Sequence, residues 1–155
     1  MIVKAEPTEK LKSLARDLTK EYPRSARETL AGYVIAPRML DKCRAHLNGT
    51  IGDYLYNFLL DRQFFHFTGI KADEFTSFVA TGAMDEEVAD WITVHSQVKE
   101  PLDVIKWNNT LRYTTLKDMP DKFQLFMEDY LTLNLPRNRP VYFIFDIFDI
   151  EEGRI

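Results

Sequence analysis

The chain has 155 residues, of which 45% are hydrophobic and 28% are charged, and its net charge at neutral pH is −4. This composition is typical of a folded protein and excludes a disordered or collagen-like chain. The negative charge argues against a nucleic-acid-binding protein that works by overall positive charge. The single cysteine excludes an internal disulfide and a multi-cysteine zinc site.

The length favours a single domain over residues 1–155, with residues 1–10 as a flexible arm. No stretch is apolar over the roughly 18 residues that a membrane span needs, and residues 1–10 lack the apolar core of a signal peptide. We therefore expect a soluble cytoplasmic protein with no membrane partner.

Two short helices are predicted before residue 33. Apolar residues recur at i, i+3, i+4 and i+7 from Leu11 to Leu18, which is the spacing of one helical face. That helix should end before Pro23, because the residue ahead of a proline disfavours helical geometry. Ser25 and Glu28 then form the S-x-x-E pattern of a capping box, which predicts a second helix starting at the next residue, Ala26, and ending at Gly32.

A third helix is predicted from Pro37 to Asn48. Proline suits the first turn of a helix, an apolar stripe that includes Cys43 follows, and Gly49 is a typical residue after a helix end. Further helices are predicted from caps and apolar spacing near 61–69, near 72–81, and from Asp85, Pro101 and Pro120.

Two segments are ambiguous. Residues 50–60 read as an extended loop or a short strand, and residues 141–150 have the composition of a strand but acidic residues at helical spacing. The expected fold is mainly α: a compact array of about seven short helices, with at most a minor extended element near 50–60 or 141–147.

Charge is distributed unevenly along the chain. Residues 1–62 contain 11 basic and 8 acidic residues, whereas residues 63–155 contain 9 basic and 16 acidic residues. One interpretation is that a basic half packs against an acidic half. The other is a local anion site within an acidic protein.

Five cations lie within residues 23–44, around two predicted helix starts. This basic cluster consists of Arg24, Arg27, Arg38, Lys42 and Arg44. Guanidinium groups match both carboxylates and phosphates, so the cluster predicts either an internal ion-pair network or a site for an anion or carboxylate. Arg38 and Lys42 are neighbours at i, i+4 that repel each other, and Asp41 is the local acid that could lie between them.

Other polar residues predict little specific chemistry. Cys43 is expected to be a buried, inert thiol, although His46 three residues later could form a Cys–His pair. The histidines lack metal-ligand spacing and no nucleotide or hydrolase motif is present, so we predict neither a metal nor a cofactor. The acidic run from Asp146 to Glu152 predicts a solvated end or a partner for the basic half.

Tyr54 and Tyr56 would face the same side of an extended segment, where they could line a pocket.

Four stretches of the chain resemble a known family. They read DLTKEYPRSARETLAGYVIAPRMLDKCRAHLNGTIGDYLYN (17–57), LDRQFFHFTGI (60–70), DEEVADWI (85–92) and DIEEGR (149–154). They resemble a bacterial family known as a domain of unknown function, number 5069. The resemblance implies a compact, mainly helical, single-domain bacterial protein and brings no established activity.

The chain departs from that family's pattern at Ala26, Phe58 and Leu59, where the pattern has proline, cysteine and proline. A thiol chemistry at position 58 could not operate here. The matching positions most worth testing are Arg24, Arg27, Arg38, Asp41, Lys42, Arg44, Tyr54 and Tyr56.

Three functional hypotheses follow. The favoured one is a non-enzymatic domain whose basic cluster binds a small anion or an acidic protein segment. The second is a small enzyme acting on a carboxylate or phosphate substrate, with Asp41, Lys42 or Cys43 as acid, base or nucleophile. The third is a purely structural cluster. No nucleic-acid partner is expected, and the sequence leaves the ligand and the oligomeric state open.

Overall fold

The chain is built mainly from short helices. The computed structural model describes residues 6–155, and within this part the chain forms eight α-helices, one 3-10 helix and a two-stranded hairpin. The helices are α1 (Glu9–Leu14), α2 (Ala36–Asn48), α3 (Leu59–Thr68), α4 (Ala72–Ala80), α5 (Asp85–His95), α6 (Pro101–Arg112), α7 (Asp121–Asn134) and α8 (Ile144–Glu151). The strands are β1 (Thr29–Leu30) and β2 (Tyr33–Val34), and the 3-10 helix is Leu116–Asp118. The mainly α prediction is confirmed.

Helix α2 lies at the centre of the fold. It packs against α1, α3, α4 and β1, and its Met39, Leu40 and Cys43 side chains are completely buried. Pro37 lies in its first turn, as predicted. Gly49 ends it with a positive φ of 74°, and the Gly49 amide donates to the carbonyls of the last turn. The sequence therefore predicts this helix well.

The predicted second helix is wrong. The Ser25 amide does donate to Glu28, at 2.9 Å, but the Ser25 hydroxyl donates to Asp149 instead of capping a helix. The chain then enters the antiparallel hairpin, in which Leu30 pairs with Tyr33. Residues 31 and 32 both have positive φ, as the tight turn of such a hairpin requires.

Other boundaries also differ from the predictions. Helix α1 begins at Glu9, inside the predicted arm, and ends at Leu14, well before Pro23. Residues 1–5 of that arm lie outside the described residues. The extended element lies at 29–34 and not near 50–60 or 141–147, where it was predicted. Residues 50–58 form turns and loop, and the tail forms α8. The helices predicted from residue 61 onward begin within two residues of their expected starts.

Two separate groups of apolar side chains are buried. The first core is formed by residues between Leu11 and Leu111, joined by Phe145. The second core consists of Met127, Leu135, Ile144 and Ile147. The partly buried residues packed on the second core also lie beyond residue 115. Helix α8 therefore contributes to both cores, and α7 packs only on the second.

Candidate functional site

Arg24 and Arg44 of the basic cluster meet at one carboxylate, that of Asp85, and Arg24 also contacts Asp41. The Arg24 guanidinium donates to Asp41 at 3.0 Å and to Asp85 at 2.7 Å, and the Arg24 amide also donates to Asp41. Arg44 donates to the other oxygen of Asp85 at 2.8 Å and to the Ala83 carbonyl. Burial opposes the charge on Arg24, but the hydrogen bonds and charges of Asp41 and Asp85 outweigh it and raise the pKa of Arg24.

Arg27 contacts α8. Its guanidinium donates to Asp146 at 2.6 Å and also to Asp149, and the Ser25 hydroxyl donates to the second oxygen of Asp149 at 2.8 Å. Burial would raise the pKa of Asp146, but hydrogen bonds from the Phe143 amide and from Arg27 hold it below its usual 3.8. The Arg27 side chain is 38% exposed, whereas those of Asp146 and Asp149 are 11% and 5% exposed, so these contacts are open to water only on the arginine side.

Arg38 makes the most buried contact of the cluster. Its guanidinium fork donates to both oxygens of Glu152, at 2.8 and 2.7 Å, and the Tyr54 hydroxyl donates to the same carboxylate at 2.9 Å. The Arg38 and Glu152 side chains are only 8% and 4% exposed. The Phe148 ring lies 4.8 Å from the guanidinium carbon of Arg38, within cation–π distance.

Burial would raise the pKa of Glu152, but the hydrogen bonds and charge of Arg38, with help from Arg154 and Tyr54, lower it. Arg154 donates to Glu152 and to the Pro23 carbonyl. The end of the described chain is thereby joined to the start of the basic cluster.

Lys42 points to a different partner. Its ammonium group donates to Asp61 at 2.8 Å and to the Leu55 carbonyl at 3.1 Å. Burial lowers the pKa of Lys42, and the charge of Asp61 only partly offsets this effect. Asp41, the local acid that could lie between Arg38 and Lys42, instead accepts from Arg24. Asp61 lies in the first turn of α3, where its carboxylate also accepts from the amide of Phe58, the residue that precedes the helix.

The two predicted pocket tyrosines have different surroundings. Tyr54 donates to Glu152, whereas the Tyr56 hydroxyl lies 2.7 Å from the Thr76 hydroxyl on α4. Burial raises the pKa of the neighbouring Cys43 to about 12. A nucleophilic cysteine needs a lowered pKa, so the expectation of an inert, buried thiol agrees with this environment.

Each cation of the basic cluster thus has a carboxylate partner from the same chain. The partners are Asp41, Asp61, Asp85, Asp146, Asp149 and Glu152. Asp41 and the run beginning at Asp146 were predicted from the sequence as acidic neighbours of the cluster, whereas Asp61, Asp85 and Arg154 were not. The three-residue spacing of 146, 149 and 152 is the signal that could have identified the partner, once that tail is taken as a helix.

Two open grooves lie away from this cluster. One of about 550 Å³ is lined by the stacked rings of Phe67 and Trp107 and by residues 97–106. Another of about 360 Å³ is lined by residues of α4 and by Trp91 and His95 of α5. Neither groove is lined by a predicted site residue. Among residues 6–155, no group of three acidic, histidine or cysteine side chains could hold a metal ion.

Most of the chain matches a family model. The model for the domain of unknown function DUF5069 matches residues 20–154. The chain belongs to this family. A search of curated proteins returns no match. The matched DUF5069 region contains the whole basic cluster and its six carboxylate partners. It also contains both cores except Leu11, which lies on α1.

Other features of this DUF5069 chain concern its helices. No helix in residues 6–155 is both long and apolar enough to cross a membrane. Phe58, where the family pattern has cysteine, precedes α3 and is 45% exposed.

We expect acid to destabilise this DUF5069 domain. The pKa values of Asp85, Asp146 and Glu152 are lower in the folded chain than their usual 3.8, 3.8 and 4.5. The unfolded chain therefore binds more protons as the pH falls, and the stability that these carboxylates contribute is present above about pH 4.5 and lost below it.

Urea midpoints measured between about pH 7 and pH 3 test this expectation. The urea concentration at the wild-type midpoint should decrease as the pH is lowered below about 4.5. A variant with Asp146→Asn and Glu152→Gln should be less stable at neutral pH and should show a shallower pH dependence. Equal wild-type midpoints at both ends of this range would contradict the expectation.

Proposed function

We propose that the protein is a non-enzymatic interaction domain whose basic cluster recognises the carboxylates of an acidic protein segment. One observation supports this most directly. Asp146 and Asp149 on α8 and Glu152 at its C-cap follow one another at three-residue spacing, and Arg27 and Arg38 together donate to all three. The surface formed by Ser25, Arg27, Arg38 and Tyr54, named here the α8 seat, is thus complementary to an acidic helix.

A small anion fits this surface less well than a protein segment does. An incoming phosphate would have to displace carboxylates that already occupy the guanidinium forks, at least one of them buried. A helix can replace several carboxylates at once and can also fill the space of Phe145, which is 1% exposed in the first core. Apolar burial would then add to the charge-assisted hydrogen bonds.

A purely structural cluster is the second candidate, and one observation favours it. Every cation of the cluster has a carboxylate partner within the chain. The two candidates differ in whether the α8 seat accepts a segment supplied in trans. The enzyme hypothesis has less support, since Cys43 is buried with a raised pKa and Asp41 is held by Arg24.

A peptide titration separates the two candidates. The probe is a labelled peptide of residues 141–155, and the receptor is the full chain carrying Asp146→Asn, Asp149→Asn and Glu152→Gln, which weakens its own α8. We expect saturable binding that is at least tenfold weaker for a peptide carrying the same three substitutions. Adding Arg38→Met to the receptor should abolish binding. A receptor that has wild-type circular dichroism and binds neither peptide would leave the structural candidate.

Anions provide a second test. We expect phosphate, sulfate and citrate to give no more thermal stabilisation than sodium chloride of equal ionic strength. A ligand bound at 100 times its Kd would add about 2.7 kcal/mol, which such a measurement resolves easily. A specific shift with one anion would favour the small-anion alternative over an acidic protein segment.

A further inference from the structure

We infer that residues 114–155 form a latch that closes α8 onto its seat, and that this latch opens as one unit to admit an acidic amphipathic helix from a partner protein. The identity of the partner rests on the proposed function. The opening of the latch does not, because it depends only on how the two cores are divided.

The latch has a core of its own. Met127, Leu135, Ile144 and Ile147 pack with partly buried residues between Leu116 and Ile150. The second core is therefore made wholly from residues of the latch. If α8 leaves its seat, α7 and α8 can keep this shared core buried, and the cost of opening is smaller than the cost of unfolding the whole chain.

Few contacts hold the latch to the rest of the protein. Phe145 is its one fully buried side chain in the first core, and Phe148 packs against that core from a partly buried position. The remaining contacts include the ion pairs of Arg27 and Arg38 and the hydrogen bonds of Ser25, Tyr54 and Arg154, the last to the Pro23 carbonyl. The Arg27 guanidinium reaches water, which weakens its ion pairs, whereas Arg38 and Phe145 are buried, so a large share of the docking energy falls on the Arg38 contact and on Phe145.

Opening leaves a surface of defined chemistry. Arg27 and Arg38 lose their carboxylates while Tyr54 and the space of Phe145 become accessible. The guanidinium groups then face water in place of carboxylates, and the apolar space of Phe145 is exposed, so the open state favours a replacement that supplies carboxylates at the same spacing and an apolar ring.

The sequence of α8 defines that replacement. Phe145, Asp146, Phe148, Asp149 and Glu152 are the residues that face the seat or the first core. A partner helix with the pattern Phe-Asp-x-Phe-Asp-x-x-Glu reproduces these contacts. It must compete with an occupant on the same chain, whose effective concentration is of millimolar order for a short linker. The latch thereby sets the threshold for partner binding.

Native-state hydrogen exchange of the full wild-type chain tests the latch. At low denaturant concentrations we expect amides of α7 and α8 to exchange from the open state, because two short helices on a core of four buried side chains are only marginally stable once undocked. Amides of α2 should exchange only with global unfolding. Glu152→Gln should speed exchange in both α7 and α8 at least tenfold more than in α2. Phe126→Ala, at an exposed position on α7, is the matched control and should leave this opening unchanged.

The outcomes separate the two proposals. Exchange of α7 and α8 only with global unfolding, or an effect of Glu152→Gln confined to α8, would overturn the latch. A latch that opens as expected, together with a substituted receptor that binds no peptide, would overturn the proposed partner and keep the latch. Faster α7 and α8 exchange in the wild-type chain on adding the 141–155 peptide would support both.

Discussion

Replacing Arg38 with methionine will lower the free energy of unfolding by about 3 to 5 kcal/mol, the usual cost of removing one partner from a buried ion pair. The methionine preserves much of the apolar stem that lies against Phe148. Glu152, only 4% exposed at its side chain, then keeps Arg154 and Tyr54 but loses the guanidinium fork. Urea denaturation at neutral pH measures this loss.

A double-mutant cycle shows how much of that loss belongs to the pair itself. Replacing both Arg38 and Glu152 with methionine should recover a substantial part of the stability, because an apolar pair leaves no buried charge without a partner. Lys20→Met is the matched control at an 82% exposed side chain and should change stability by less than about 0.5 kcal/mol. A loss below about 1 kcal/mol for Arg38→Met would mean that the pair is not closed in solution.

Phe145→Ala should cost about 3 to 5 kcal/mol, the range for removing a buried aromatic ring. The Phe145 side chain is the point at which α8 enters the first core, and the Arg27 guanidinium lies 5.9 Å from its ring. Most of the loss should appear as easier opening of residues 114–155, because the first core otherwise keeps its own side chains.

Phe126→Ala is the control for this second substitution. The Phe126 side chain is 62% exposed on α7, so its removal should change the free energy of unfolding by less than about 0.5 kcal/mol. Midpoints and m-values in urea compare the two variants. Equal losses would show that burial of the ring at position 145 does not hold α8 in place.

The helices were predictable where their signals are local. Pro37 and Gly49 bound α2, and glycine, proline and apolar spacing locate the helices from α3 to α7. The hairpin was missed for a physical reason. Ser25 and Glu28 fit a capping box, yet the Ser25 hydroxyl takes an acceptor 124 residues away, which no local pattern records.

The candidate site was predictable only in part. The cations are dense enough in residues 23–44 to be recognised from composition, but their partners are 17 to 122 residues distant in sequence. The prediction that Tyr54 and Tyr56 face the same side required an extended segment. The chain instead turns through this loop, where Asn57 has a positive φ. Tyr54 bonds to Glu152 at the end of α8, and Tyr56 bonds to Thr76 on α4. Tertiary contacts determine both the partners of the cations and the positions of the tyrosines, and residue spacing along the sequence does not encode such contacts.

The burial of Cys43 has a practical consequence for following these movements. It is the only cysteine of the chain and its side chain is completely enclosed. Maleimide reagents should therefore spare it in the native protein, since a protonated, inaccessible sulfur reacts slowly. A spin label or fluorophore can then be attached to a cysteine introduced at the exposed Leu133 without removing the native thiol. Distances from such a label to a second one on α4 would track the separation of the two cores directly.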